Sequence, residues 1–219
     1  GVSMPQCGGA CVARTGAAVT STAILERRRT YHVGNVRSQL LAAAREILHE
    51  QGRAGLSLRA IADRGGVAPG TVYYHYADKA ALLGGLAVDG FRQLAEVMRQ
   101  AYETRGEASG LRSTGLAYLN FLRQKPELYE LMYEALDGGR RADVAEAEAE
   151  ACAVSRAAIV EDFVGRHSPE MAEKIAEAIW AWGRGIAAVA LSRAEPGAGP
   201  EDETLEAAVL GLGALIAGR

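Results

Sequence analysis

The amino-acid sequence predicts an all-α fold, and three observations carry that prediction. Hydrophobic residues make up 49% of the 219 residues and charged residues 23%, a globular rather than a disordered balance. Alanine is abundant while aromatics reach only 6%, and alanine-rich segments with few β-branched runs favour helix. Apolar residues recur at steps of three and four between glycine and proline stops, and no stretch alternates at a period of two.

Taken in order, residues 1–35 are rich in Gly, Ala, Ser and Thr and read as a flexible N-terminal tail. From Arg37 onward, Leu40, Leu41, Ala44, Ile47 and Leu48 line one face of a first helix, which Gln51 and Gly52 end. Ser57 suits the N-cap of a short second helix, with Leu58, Ile61 and Ala62 inward and Gly65-Gly66 as its break. Pro69 stands in the first turn of a third helix, where its missing N–H costs nothing, and Val72 and Tyr76 share its inner face. Asp78 caps a fourth helix that runs from Lys79 to about Tyr102. After a break at residues 106–110, helices follow over about 111–124, 126–136, 141–166 and 168–193. The Pro- and Gly-rich residues 195–200 then separate a last helix over about 202–217. This organisation gives a tail at 1–35, a small helical domain at 36–83 and a larger one at 84–219.

The net charge is −3, but its distribution is uneven. Residues 1–90 carry ten Lys and Arg against six Asp and Glu, and residues 91–219 carry fourteen against twenty-one. A basic front and an acidic back suit a chain whose N-terminal part meets phosphate. Arg27, Arg28 and Arg29 supply part of that excess, as an arm on DNA or as a solvated charge run. Three cysteines do not make a disulfide framework, and Cys7 and Cys11 lack neighbouring residues to complete a metal site. No apolar run reaches the roughly 18–20 residues of a membrane span, and residues 1–25 lack a secretory pattern. A cytoplasmic protein is expected. No phosphate loop, Gly-x-Ser-x-Gly or metal-spaced cluster appears, so neither a cofactor nor an enzyme is expected. Asp162, His167 and Ser168 lie too close together in sequence, at a helix end, to form a catalytic triad.

Three short helices with a tight glycine turn between the second and third are the helix-turn-helix arrangement. Its third helix enters the major groove by its N-terminal residues, and a turn glycine permits the positive φ that lets the helices cross steeply. Gly66 supplies that glycine, and Thr71, Tyr73, Tyr74 and His75 carry hydrogen-bonding groups around the inward Val72 and Tyr76.

The run from Ile61 to Tyr76, IADRGGVAPGTVYYHY, followed by Lys79 and Leu82-Leu83, resembles the DNA-binding region of the TetR family of tetracycline-repressor-like regulators. The resemblance covers about residues 37–90 and rests on many positions agreeing in order and spacing. It implies that Ser57 bonds a phosphate and that Arg59 occupies a position that reads a base in some members. Pro69, Gly70 and Thr71 would lie against DNA, Tyr73 and His75 would contact phosphate, and Tyr74 would reach base edges. Lys79 would bring an ammonium and a helix N-terminus to phosphate together. Two positions depart from the pattern. Ala68 stands where Ser or Thr is frequent and cannot cap the recognition helix. Gly65 replaces a usual alanine, which is expected to loosen the end of the second helix.

In the larger domain, the last two long helices carry stripes rich in Ala and Gly, at Ile175, Ile179, Trp182, Ile186 and Val189 and at Leu205, Val209, Leu212 and Ile216. They read either as internal core or, as the resemblance implies, as a four-helix homodimer interface for a regulator that reads a palindromic double-stranded operator. Met98, Tyr102, Tyr118, Phe121, Tyr129, Met132, Tyr133, Phe163 and Trp180 read as core or as the lining of a cavity for a small hydrophobic effector. Arg184 would bind an anionic effector or pair with an acid. The expected function is a sequence-specific DNA-binding regulator, a repressor released by a small effector. The alternative is a DNA-binding regulator or architectural protein without such control.

Overall fold

The computed structural model describes residues 21–138, 141–193 and 211–212, with side chains from Val36 onward. Eight helices occur among them: α1 (Ser21–Gly55), α2 (Leu58–Arg64), α3 (Pro69–His75), α4 (Lys79–Glu103), α5 (Gly110–Gln124), α6 (Pro126–Asp137), α7 (Ala142–Phe163) and α8 (Pro169–Arg193). The described residues hold no strand beyond an isolated bridge between Val164 and His167. The fold is all-α, a small helical head followed by a helical body. Of the last expected helix, only Gly211 and Leu212 are described, and both are helical; the rest of that segment lies outside the described residues, as do Cys7 and Cys11.

The chain divides into Gly1–Arg37 and Ser38–Arg219, and every contact given below lies within the second. α1 opens at Ser21, earlier than the apolar period places it, so Arg27, Arg28 and Arg29 fall on its backbone. Gly52, where the sequence places the stop, does interrupt the helix, with φ 64 and ψ −167, and one short turn follows it. α7 ends at Phe163 rather than near Arg166.

α4 is the central helix. It packs most extensively on α7 and also on α5 and α6, while α7 carries α8. Leu82, Leu86, Phe91, Leu94 and Met98 of α4 are fully buried, and each such side chain contributes roughly 1.5–3 kcal/mol. A second apolar cluster joins Ile159 and Phe163 of α7 to Ala172 and Ala176 of α8, with Leu111 against them. Beside it, the Asp162 carboxylate accepts from Gly110 N at 2.9 Å and Leu111 N at 2.7 Å. Those two amides open α5 and have no partner within their own helix. Asp162 is therefore a cap for α5, and Ser168 caps α8 by accepting from Met171 N at 3.3 Å. The two side chains serve different helices.

Candidate nucleic-acid interface

The reading head is built from local chemistry. Ser57 takes an extended backbone (φ −143, ψ 154), and its Oγ accepts from Ala60 N at 3.0 Å, which starts α2. At the other end Gly66 N donates to Asp63 O at 3.3 Å and Val67 N to Ala62 O at 3.0 Å. This paired closure of a helix end is the Schellman motif, and it places Gly66 in the left-handed region at φ 62. A side chain there is strained, so Gly66→Ala is expected to cost about 1–2 kcal/mol in urea unfolding. A loss near zero would mean that the turn re-forms without its glycine. Gly65 has an ordinary helical φ of −75, and Gln39 of α1 donates from Nε2 to its carbonyl at 2.8 Å. That bond offsets the loosening expected from Gly65. Ala68 makes no side-chain cap to α3, and Pro69 takes the first helical position.

Val72 and Tyr76 are buried beneath α3. Ser57, Arg59, Pro69 and Gly70 are exposed, and Thr71 and His75 are half-buried. Tyr73 is 59% exposed and Tyr74 78% exposed, so two large rings are left to solvent on one seven-residue helix. Tyr74 packs edge-on against His75, with ring centroids 5.3 Å apart. Lys79 is exposed at the first position of α4, where Asp78 caps the helix by accepting from Ala81 N at 2.7 Å.

Ion pairing sorts the cations of the head. Arg45 pairs with Asp89 and Arg53 with Glu134. Arg64 pairs with Glu50 at 2.6 Å and Glu46 at 3.2 Å, and its hydrogen bond holds the Glu50 carboxyl below the usual carboxylate range. Arg59 and Lys79 have no side-chain partner among the described residues. Arg59 lies in α2 before α3 and Lys79 opens α4 after it, and both side chains are exposed. The sequence contains all of these cations, but nothing local separates the paired from the unpaired.

In the body, the expected effector residues are divided. Tyr118, Tyr129, Tyr133, Trp180 and Arg184 come together. The Tyr118 and Tyr129 hydroxyls are hydrogen-bonded, the Tyr129 and Tyr133 rings lie 4.7 Å apart, and Trp180 meets Tyr118 at 5.7 Å. Arg184 covers the Tyr133 ring at 4.6 Å and pairs with Asp137 at 2.6 Å. Trp180 donates from Nε1 to Glu148 at 2.7 Å. Burial raises the pKa of all three tyrosines, which keeps the hydroxyls neutral. The Tyr133 hydroxyl is buried and makes no hydrogen bond of ordinary geometry. Met132 lies against Gly90 of α4, and Met98 and Phe121 are buried. Tyr102 belongs elsewhere, beneath Arg105 at 3.8 Å, and Phe163 sits in the α7–α8 cluster. A groove of about 310 Å³ between α1 and the α5–α6 corner is lined by Arg45, His49, Gln124, Lys125 and Leu128 among others, and by none of the expected effector residues.

A helix-turn-helix with an exposed aromatic and cationic face, carried on a helical body, defines a DNA-binding transcription regulator. The chain belongs to the TetR family: residues 40–86 match the bacterial regulatory proteins of the tetR family, and residues 111–212 match the tetracyclin repressor-like C-terminal domain. It is 31% identical over 98 residues to the uncharacterized HTH-type transcriptional regulator YobS of Bacillus subtilis (strain 168), a match covering 45% of this chain and 51% of that protein. It is 30% identical over 99 residues to the HTH-type transcriptional activator FasR of Mycolicibacterium smegmatis, covering 45% of each. The chain thus spans about half the length of these curated relatives. Among solved structures, a protein with unknown function from Rhodococcus sp. RHA1 is 32% identical with a TM-score of 0.64, over 79% of this chain and 91% of that one. A transcriptional regulator from the same source shares the fold at 22% identity and a TM-score of 0.60, over 83% and 96% of the two chains. Among the described residues no helix is long and apolar enough to cross a membrane.

Proposed function

We propose that this regulator is a repressor that binds a palindromic operator as a homodimer. Residues 36–83 form the reading domain and residues 84–219 the effector-binding and dimerisation domain. The observation that carries this reading is the α3 face. Val72 and Tyr76 anchor it, Tyr73 and Tyr74 stand in solvent, and Arg59 and Lys79, exposed and without an ion-pair partner among the described residues, precede and follow it in the chain. Ser57, Pro69, Gly70, Thr71 and His75 complete the surface that meets DNA. Dimerisation runs through α8 and the segment after it, a reading supported by Met171 and Val189, which are exposed on α8. A small hydrophobic effector binds in the body beside Tyr118, Tyr129 and Tyr133, where the buried Tyr133 hydroxyl offers a hydrogen-bonding group to a ligand. Its binding releases the operator by favouring one arrangement of the two heads.

Selecting bound sequences from a random duplex pool tests the reading. A single palindromic consensus is expected. Weak enrichment, with binding set by salt alone, would instead favour an architectural DNA binder. A thermal-shift screen of small apolar compounds tests the effector step. A hit should raise the melting temperature and weaken operator binding together. A ligand that strengthens operator binding would overturn release by the effector, and transcription that rises with the regulator bound would point to an activator, the role in the name of the mycobacterial relative.

A further inference from the structure

We propose that Arg141, in front of α7, is a positioning residue for DNA reading: its guanidinium clamps the first turns of α4 and so sets the angle of the reading head on the body. The proposal rests on α3 and Lys79 being the DNA-facing surface.

The geometry is specific. Asp143 grips the guanidinium in a fork, with Nε to Oδ1 at 3.0 Å and Nη2 to Oδ2 at 2.6 Å. The remaining nitrogen, Nη1, points across to α4 and donates to the Ala81 carbonyl at 3.4 Å. The contact lies over a glycine, and a side chain at that position would push the guanidinium aside. A Cβ on Gly84 would lie 2.3 Å from the guanidinium carbon. At the next position, a Cβ on Gly85 would lie 2.9 Å from the ring of Tyr76, the residue that ends α3. Two successive glycines therefore let α4 receive a body arginine and the end of the recognition helix at the same level. Asp78 adds to the electrostatic hold on Arg141 after Asp143.

The position matters because a dimer reads two half-sites about one helical turn apart, so a tilt of either head moves both recognition helices out of register. Ala81 is two residues from Lys79, within the turn that would present Lys79 to phosphate. Arg141 holds that turn from the body without itself belonging to the head.

The test uses the full chain, the selected operator, and operators whose half-site spacing is changed by one base pair. Arg141→Ala and Gly84→Ala should each bind the selected operator about tenfold more weakly and should lose most of the preference for its spacing. The double variant should be no worse than either single one, since both remove the same contact. Arg141→Lys should not rescue, because an ammonium cannot keep the fork to Asp143 while reaching Ala81. The salt dependence of binding should stay unchanged. If the spacing preference survives in every variant, whatever the affinity, the proposal is overturned. A salt slope reduced by about 1 per lost contact would overturn it too, since Arg141 would then be a phosphate ligand. Should Arg141→Ala fail to fold, Gly84→Ala and Asp143→Asn give the same reading. A Tyr73→Ala, Lys79→Ala variant runs in parallel. Normal binding by that variant would reject the reading surface on which the proposal rests, whereas lost binding by that variant with an intact spacing preference in the Arg141 and Gly84 variants would reject the role of Arg141 alone.

Discussion

Replacing Tyr73 and Lys79 together by alanine is expected to weaken operator binding about a thousandfold while leaving the dimer and its melting temperature unchanged. The magnitude follows from four lost contacts per dimer at about 1 kcal/mol each. Tyr73 is 59% exposed, and Lys79 has no side-chain partner among the described residues, so the fold loses nothing when both are truncated. The salt slope of the remaining binding should fall by about 2, one for each lysine–phosphate contact. Gel shift, footprinting and sedimentation of the same preparation check all of these effects. A normal footprint would place the reading surface elsewhere on the protein.

Gly110→Ala is expected to destabilise the protein by about 3 kcal/mol. A Cβ at this position would stand 2.3 Å from the carbonyl oxygen of Ala158 on α7. The obstacle is backbone, so no side chain can turn away, and α5 must lift off α7. That movement would also pull the Gly110 and Leu111 amides from the Asp162 carboxylate that caps them. Hydrogen bonds to a charged acceptor contribute about 1.5–3 kcal/mol, so Asp162→Ala should show part of the same loss. The two substitutions should also be non-additive, because they disturb one junction. Urea unfolding with an unchanged m-value measures it. A Gly110→Ala loss under about 1 kcal/mol would mean that the α5–α7 contact yields without leaving its cap.

The two variants differ in how well their sites can be read from sequence. Tyr73 and Lys79 sit in a segment whose order of residues is itself informative. Ser57 starts α2, Gly66 closes it, Pro69 starts α3 and Asp78 caps α4, and each of these is a contact between residues a few positions apart. Gly110 reads from sequence only as part of a break. Its use as the point where α5 touches α7 depends on Ala158, which no local pattern connects to it. The aromatics behave in the same way. Tyr118, Tyr129 and Tyr133 cannot be separated by period or composition from Tyr102 and Phe163, yet the first three share one cluster and the other two lie in different contacts.

By itself the sequence determined α2 and α3, the caps of α2 and α4, the turn at Gly66 and which α3 side chains are buried or exposed, because periodicity, capping and turn chemistry act over a few residues. The tertiary structure alone decided which cations of the described residues remain without an ion-pair partner, that Gln39 bonds the carbonyl of Gly65 at the end of α2, that Asp162 caps α5 from α7, and that Arg141 reaches α4. Those partners lie 26, 52 and 60 residues apart, and a helical period specifies which face must be covered without specifying what covers it.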